Sequence, residues 1–287
     1  MAGIFGFFDY TKPGPGINKD EEPKAAVFVF LDIYFRKFWN LIKINLLYFI
    51  FSIPTLLLFM LASIFVIPQI STDVTIDLMM RMIIGAIFFV IPVITCGPAQ
   101  AGFTYLIRNY AREEHAFIWS DFKEHSLKNF KQGMLISAID FVVFMVVMLD
   151  LRIYLNMKSS NFLMMIPTIL LFFAFIIFIM MHMYIYPMLV TFKLTTKELY
   201  KNAFVFSMMK FLPNLGILIL CFVLTLATFY FTPVGIILFP LLTLSTVSLI
   251  TNFYVYPKLK KYIMDKVDEN PDNEENKLIE DKEKATF

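Results

Sequence analysis

Four polar side chains interrupt long apolar stretches of the chain: Gln100, Asp140, His182 and Asn252. Asp140 stands in Ser137-Ala138-Ile139-Asp140-Phe141, where an ionised carboxylate among hydrocarbon costs several kcal/mol unless it faces a partner or water. His182 can exchange a proton near neutral pH, and the two amides each bring donors and an acceptor. Two chemistries fit such a set. The residues can bind an ion or a small polar solute within a helix bundle, or they can hydrogen-bond helices together at about 1 kcal/mol each. At about 1.5 Å per helical residue, Asp140, Gln100 and Asn252 lie roughly 9–12 Å in from their helix boundaries, with His182 deeper. The spacing predicts one polar layer.

Other chemistry is sparse. His115 and His125 stand in a charged stretch, and no two histidines lie a helical turn apart with a glutamate between them, as a zinc hydrolase would need. Cys96 and Cys221 lie alone in apolar runs, without the spacing of a disulfide or a zinc site, and behave as small hydrophobes. Met79, Met80 and Met82, and Met180, Met181 and Met183, suit gap-filling between helices better than a soft-metal centre. No nucleophile elbow or phosphate-cradling glycine loop occurs. The expectation is no catalytic residue, no cofactor and no metal. A net charge of +2 excludes a basic field for nucleic acid.

The elements that must position the polar layer are membrane spans. The 287 residues are 59% hydrophobic and 17% charged, against roughly half and a quarter in soluble domains. A span needs about 20 mostly apolar residues, and six runs qualify: 44–70, 78–107, 133–155, 162–192, 215–231 and 234–256. They are too long and too weakly alternating for barrel strands, so the fold class is an all-α integral membrane protein of six transmembrane helices. Lysines and arginines gather before the first run, between the second and third, between the fourth and fifth, and after the sixth. The opposite connections hold only Arg81, Arg152 and Lys158, offset by Asp73, Asp77 and Asp150. The positive-inside rule places both termini in the cytoplasm. Residues 1–36 form a cytoplasmic or interfacial segment without signal-peptide character, 37–262 the transmembrane domain, and 263–287 a disordered charged tail.

A repeat organises the spans. Lys37-Phe38-Trp39-Asn40-Leu41, Lys128-Asn129-Phe130-Lys131-Gln132 and Lys210-Phe211-Leu212-Pro213-Asn214 precede the odd-numbered runs. The even-numbered runs close on Cys96-Gly97-Pro98, Ile185-Tyr186-Pro187 and Val255-Tyr256-Pro257. This pattern predicts three helical hairpins in pseudo-threefold arrangement, all opening to the cytoplasm. Pro98, set among Gly97, Ala99, Ala101 and Gly102, predicts a kinked second span that a neighbour approaches closely. Residues 112–131 read as an amphipathic helix anchored by Phe117, Trp119, Phe122, Leu127 and Phe130. Thr195 followed by Glu198 reads as a capping box, with Leu199, Ala203 and Phe206 on one face. These two helices can lie on the membrane or dock a partner. The candidate docking residues are Trp119, Phe122, Glu198 and Ala203.

The N-terminal motifs carry a family resemblance. Phe8-Asp9, Lys12-Pro13-Gly14-Pro15-Gly16, Lys19-Asp20-Glu21 and Arg36-Lys37-Phe38-Trp39-Asn40-Leu41-Ile42 run into Asn45-Leu46-Leu47-Tyr48. With Gly97-Pro98-Ala99, Tyr105, Arg112-Glu113-Glu114-His115 and Trp119-Ser120-Asp121-Phe122, this resembles the YesL family of bacterial membrane proteins over about residues 5–260. The resemblance transfers no catalytic residue. It implies residence in the bacterial plasma membrane and association with carbohydrate importers of the ATP-binding-cassette (ABC) type, whose permease and ATPase subunits would be the partners. The expected role is a non-enzymatic accessory subunit, with self-association open. Residues 197–213 are similar to the permease loop that grips the ATPase, although Phe204 stands where its glycine would be. The alternative is a stand-alone transporter or channel for a small polar solute, using the layer around Asp140.

Overall fold

Backbone amides in hydrocarbon can be satisfied only within helices or closed barrels, and the apolar runs of this chain fold as helices. A computed structural model describes residues 25–65, 71–157, 165–230 and 232–264. The aromatic N-terminal segment, Lys158 and the charged tail from Asp265 lie outside the described residues. The elements are α1 Ala26–Phe65, α2 Val74–Ala111, α3 Ile118–Lys128, α4 Phe130–Met157, α5 Met165–Thr191, α6 Thr196–Met209, α7 Phe211–Tyr230, α8 Thr232–Leu238 and α9 Leu244–Leu259. Five-residue π-helical segments follow α8 at Phe239–Thr243 and α9 at Lys260–Met264. Among the described residues, three helices are long and apolar enough to cross a membrane: Ile166–Thr191, Phe211–Tyr230 and Val234–Ile263. That is the signature of a membrane protein.

Local chemistry sets the helix ends. Asp73 caps α2, its Oδ1 accepting from the amides of Thr75 at 2.8 Å and Ile76 at 3.2 Å. After α2, Glu113 takes a left-handed φ of 61° and turns the chain toward α3. The capping box expected at α6 is present, with the Thr195 hydroxyl accepting from Glu198 N and the Glu198 carboxylate accepting from Thr195 N. Helix α1 starts at Ala26, well before the apolar run that begins at residue 44. Its first four turns pack Ile33 and Phe30 inward and leave Asp32 and Arg36, with Val27, Phe28, Leu31 and Phe35, on the outside.

Helices α2, α5 and α9 contact one another, and each remaining long helix sits against two of them. Helix α1 lies on α2 and α9, α4 on α2 and α5, and α7 on α5 and α9. Helix α3 rests on α2 and touches α1 and α4, while α6 rests on α5 and touches α4 and α7. The remaining place, over α9 between α1 and α7, is an open apolar groove of about 540 Å³ lined by Val27, Phe30, Leu220, Phe253 and Lys258.

A close seam joins α2 and α4. A Cβ on Gly97 would collide with the Gly133 carbonyl and with Ser137, and one on Gly133 would stand 2.9 Å from the Gly97 carbonyl oxygen. Gly102 meets the Phe122 carbonyl of α3 in the same manner. The small-residue stretch around Pro98 therefore works as the sequence suggested, letting backbones touch. Helix α2 itself runs unbroken through Pro98.

Candidate functional site

The four residues of the polar layer come from α2, α4, α5 and α9. Asp140 on α4 and His182 on α5 meet with His182 Nε2 at 2.7 Å from Asp140 Oδ1. One turn back on α5, the Phe178 carbonyl oxygen lies 3.1 Å from His182 Nδ1. The Tyr200 hydroxyl of α6 donates to the same Asp140 oxygen at 3.4 Å. The amphipathic helix α6 thus reaches into the layer through one tyrosine.

His182 is also a wall of a cavity of about 310 Å³ between α1, α2, α5, α7 and α9. Gln100 and Asn252 line the same space, together with Tyr48, Tyr186, Ser248 and Thr251. Three of the four residues picked out in the sequence therefore face one cavity, and the fourth, Asp140, stands behind His182. Gln100 Nε2 reaches the Thr104 hydroxyl at 3.5 Å. Asn252 is 3% exposed and donates to the Ser248 carbonyl at 2.8 Å. Its Oδ1 has no hydrogen-bond partner among the described residues. A buried acceptor left unmet costs about 1–3 kcal/mol.

A separate small cavity of about 10 Å³ shares Pro187 and Asn252 with the larger one and is also lined by Arg108, Thr191, Tyr256 and Leu259. Arg108, read from sequence as a loop cation, is buried. Its Nη1 donates to the Val190 carbonyl and the Thr191 hydroxyl, both at 3.1 Å, and its Nη2 to Asn109 Oδ1 at 2.8 Å. A cation on the last carbonyls of α5 suits the negative end of that helix and locks α2 to α5 beneath the cavity.

Two asparagines that stand in the sequence motifs above, Asn45 and Asn214, hold helices together. Asn45 is fully buried, donating to the Phe239 carbonyl at 3.0 Å and accepting from Ser245 N at 2.8 Å. The π-helical segment between α8 and α9 contains Pro240, which has no amide hydrogen to give. Asn45 supplies backbone groups around that bulge with the partners that lipid cannot. Asn214 accepts from Tyr184 at 2.6 Å and Tyr254 at 2.7 Å, and donates to the carbonyls of Phe206 and Ser207. It ties α5, α6, α7 and α9 together. The signal in both cases was an asparagine beside or inside an apolar run.

The expected docking face is corrected. Phe122 is 2% exposed and packs on Gly102 and Phe51, and Ala203 is fully buried against α5. An apolar stripe on a short helix found the protein's own core rather than a partner. Glu198 is exposed but engaged in the α6 cap, where the hydrogen bond from the Thr195 amide holds its carboxyl below the usual value. Trp119 alone of the four stays open, with Phe117 and Leu127 beside it. It borders an apolar groove of about 360 Å³ with Phe51, Ile94 and Phe130.

Among the described residues no three His, Cys, Asp or Glu side chains gather as a metal site would require. No curated protein and no solved structure matches the chain. Residues 41–151 match a family described as protein of unknown function, DUF624, a stretch that includes the Gly97–Gly133 seam, Gln100 and Asp140 but neither His182 nor Asn252.

Proposed function

We propose that the protein is a non-enzymatic bacterial plasma-membrane protein that binds and passes a small uncharged polar solute through the cavity walled by Gln100, His182 and Asn252. The observation that carries this reading is the polar wall of the cavity, where Gln100, His182 and Asn252 meet and the buried Asn252 Oδ1 has no partner among the described residues. The other polar groups there are an amide, hydroxyls and an imidazole matched to the carboxylate behind it. Such a lining suits neutral donors and acceptors and rejects ions. At about 30 Å³ per water, the space holds on the order of ten water-sized groups.

The membrane frame of this reading is six spans in three hairpins with both termini cytoplasmic. Its support is the cycle of contacts, in which each outgoing helix α1, α4 or α7 rests on its own returning helix and on the one before it. Helices α3 and α6 occupy matching places in that cycle, and the lysines gather where they lie. Membership of the YesL family is part of the proposal, resting on the N-terminal motifs and the partial match to a family of unknown function.

Osmotic swelling of proteoliposomes tests the reading with urea, glycerol, erythritol and glucose. Wild type should exceed protein-free vesicles for at least one solute, and Asn252→Leu should cut that excess tenfold or more. Rates equal to protein-free vesicles for all four would overturn it.

A second reading, an accessory subunit of a carbohydrate ABC importer, is favoured by Trp119, Phe117 and Leu127 around the open groove of α3. Its partners would be permease and ATPase subunits, or a second copy of this chain. Purification from the native membrane in mild detergent decides it: co-eluting permease and ATPase support it, and a lone homo-oligomer rejects it.

A further inference from the structure

The His182–Asp140 contact contains a proton that its geometry requires. The Phe178 carbonyl oxygen can only accept, so Nδ1 of His182, 3.1 Å away, carries hydrogen. Nε2 then faces Asp140 Oδ1 at 2.7 Å. If the carboxylate is ionised, Nε2 must be protonated. If the imidazole is neutral, the carboxyl must hold the hydrogen. Either way one proton lies between them, and the pair is neutral overall. Tyr200 adds a donor to the same oxygen from α6, which rests on α5 and touches α4 and α7.

Losing that proton changes both charge and shape. The neutral imidazole would then have one N–H for two acceptors, Asp140 Oδ1 and the Phe178 carbonyl, beside an uncompensated negative charge. One of the two contacts must break, and His182 is a wall of the cavity. Tyr186 of α5 and Tyr200 of α6 lie within electrostatic reach of Asp140, Tyr48 of α1 and Cys96 of α2 lie within reach of Tyr186, and Cys221 of α7 lines the cavity with His182. Helix α9 presents Ser248, Thr251 and Asn252, which do not titrate. Tyrosine and cysteine side chains ordinarily titrate above pH 7, whereas imidazole is the side chain whose ordinary range lies near neutrality.

We infer that His182 and Asp140 form a proton-binding site, exchanging with the cytoplasmic side through Tyr200, whose occupancy sets the shape of the solute cavity. The inference rests on the cavity being the solute site. In the unloading step the proton leaves for cytoplasmic water, and a carboxylate and a neutral imidazole remain. In reloading, the Tyr200 hydroxyl gives its proton to Asp140 Oδ1 and takes one from water. Solute movement is then linked to proton movement, because the same imidazole is proton carrier and wall.

Cys221 lines the cavity and is one of two cysteines in the chain, so a Cys96→Ser background turns it into a single reporter. Its labelling rate by methyl methanethiosulfonate is followed from pH 5 to 8 in the full-length protein in nanodiscs. The rise due to thiolate formation is shared by all variants, so each profile is divided by that of Asp140→Asn. Wild type should show an added step of at least threefold, and His182→Gln should stay flat. Tyr200→Phe should reach the wild-type end-points more slowly after a pH jump. Labelling with one common profile in wild type, Asp140→Asn and His182→Gln overturns the proton site and leaves the cavity reading standing. Cys221 that stays unlabelled in every variant until the protein is denatured overturns both.

Discussion

Helix α4 meets its two principal neighbours in opposite ways. Toward α2 it presents Gly133, and the two backbones touch with no room for a methyl group at Gly97. Toward α5 it presents Asp140, which meets His182 through a hydrogen bond beside a cavity. A backbone seam owes its hold to shape and dispersion, has one good arrangement and resists sliding. A polar contact next to open space can rearrange when its charge changes. One helix thus combines a fixed edge with an adjustable one. Movement of the bundle is expected at α5, with α2, α3 and α4 staying together.

The seam gives the largest effect. Gly97→Ala places a methyl group against the Gly133 carbonyl and Ser137, and backbone must move to admit it. Overpacking of that kind costs about 1–3 kcal/mol, read as a lowered melting temperature in detergent. Gly133→Ala should cost clearly less, since its nearest contacts lie at 2.9–3.1 Å. Gly216→Ala meets nothing within 4 Å and should be neutral or slightly stabilising, because alanine favours a helix by up to about 1 kcal/mol over glycine. Equal losses at Gly97 and Gly216 would refute the seam.

The adjustable edge predicts a different pattern. Asp140→Asn keeps a hydrogen-bonding side chain beside His182, so stability should fall by less than about 1 kcal/mol while the proton-linked step at Cys221 disappears. Asp140→Leu leaves the imidazole without its partner, for a loss of about 1–3 kcal/mol. If Asn and Leu destabilise equally and neither alters the labelling step, Asp140 is a filler and the contrast between the two edges collapses.

How far the sequence foretold this contrast depended on whether each signal was local. Thr195 and Glu198 lie three residues apart and answer to each other, so the cap was readable. Gln100, Asp140, His182 and Asn252 were visible because polar atoms inside apolar runs need a reason. Their convergence on one cavity was foreseen only as a shared depth, since helix periodicity says nothing about which faces turn toward one another. Asn45 illustrates the limit: its partners Phe239 and Ser245 lie 194 and 200 positions away, and the bulge they bracket has no local mark beyond Pro240. Phe122 and Ala203 failed for a related reason, since an apolar stripe predicts burial without naming the surface that buries it. The early start of α1 has no apolar-run signal, because Asp32, Arg36, Lys37 and Lys43 interrupt residues 26–43.

The smallest effect tests whether α6 belongs to the adjustable side. Its capping box fixes the helix start five residues before Tyr200, the residue that reaches Asp140. Thr195→Ala removes the acceptor for Glu198 N and should cost about 1 kcal/mol. The pH dependence follows from Glu198, whose carboxyl is held below its usual value chiefly by the Thr195 amide. A depressed folded-state value stabilises the protein above the ordinary glutamate range and loses that contribution as pH falls through the folded value. At neutral pH the cap is therefore complete, and acidification below the usual carboxylate range loosens the start of α6. Hydrogen exchange at the amides of residues 195–200 should quicken under those conditions in wild type, and Glu198→Gln should show much less of that acid dependence. If α6 steadies the adjustable edge, Thr195→Ala should also speed the relaxation of Cys221 labelling after a pH jump, while leaving the end-points and the Gly97 seam untouched. A change confined to α6 exchange would instead assign the cap to local helix stability and detach it from the proton site.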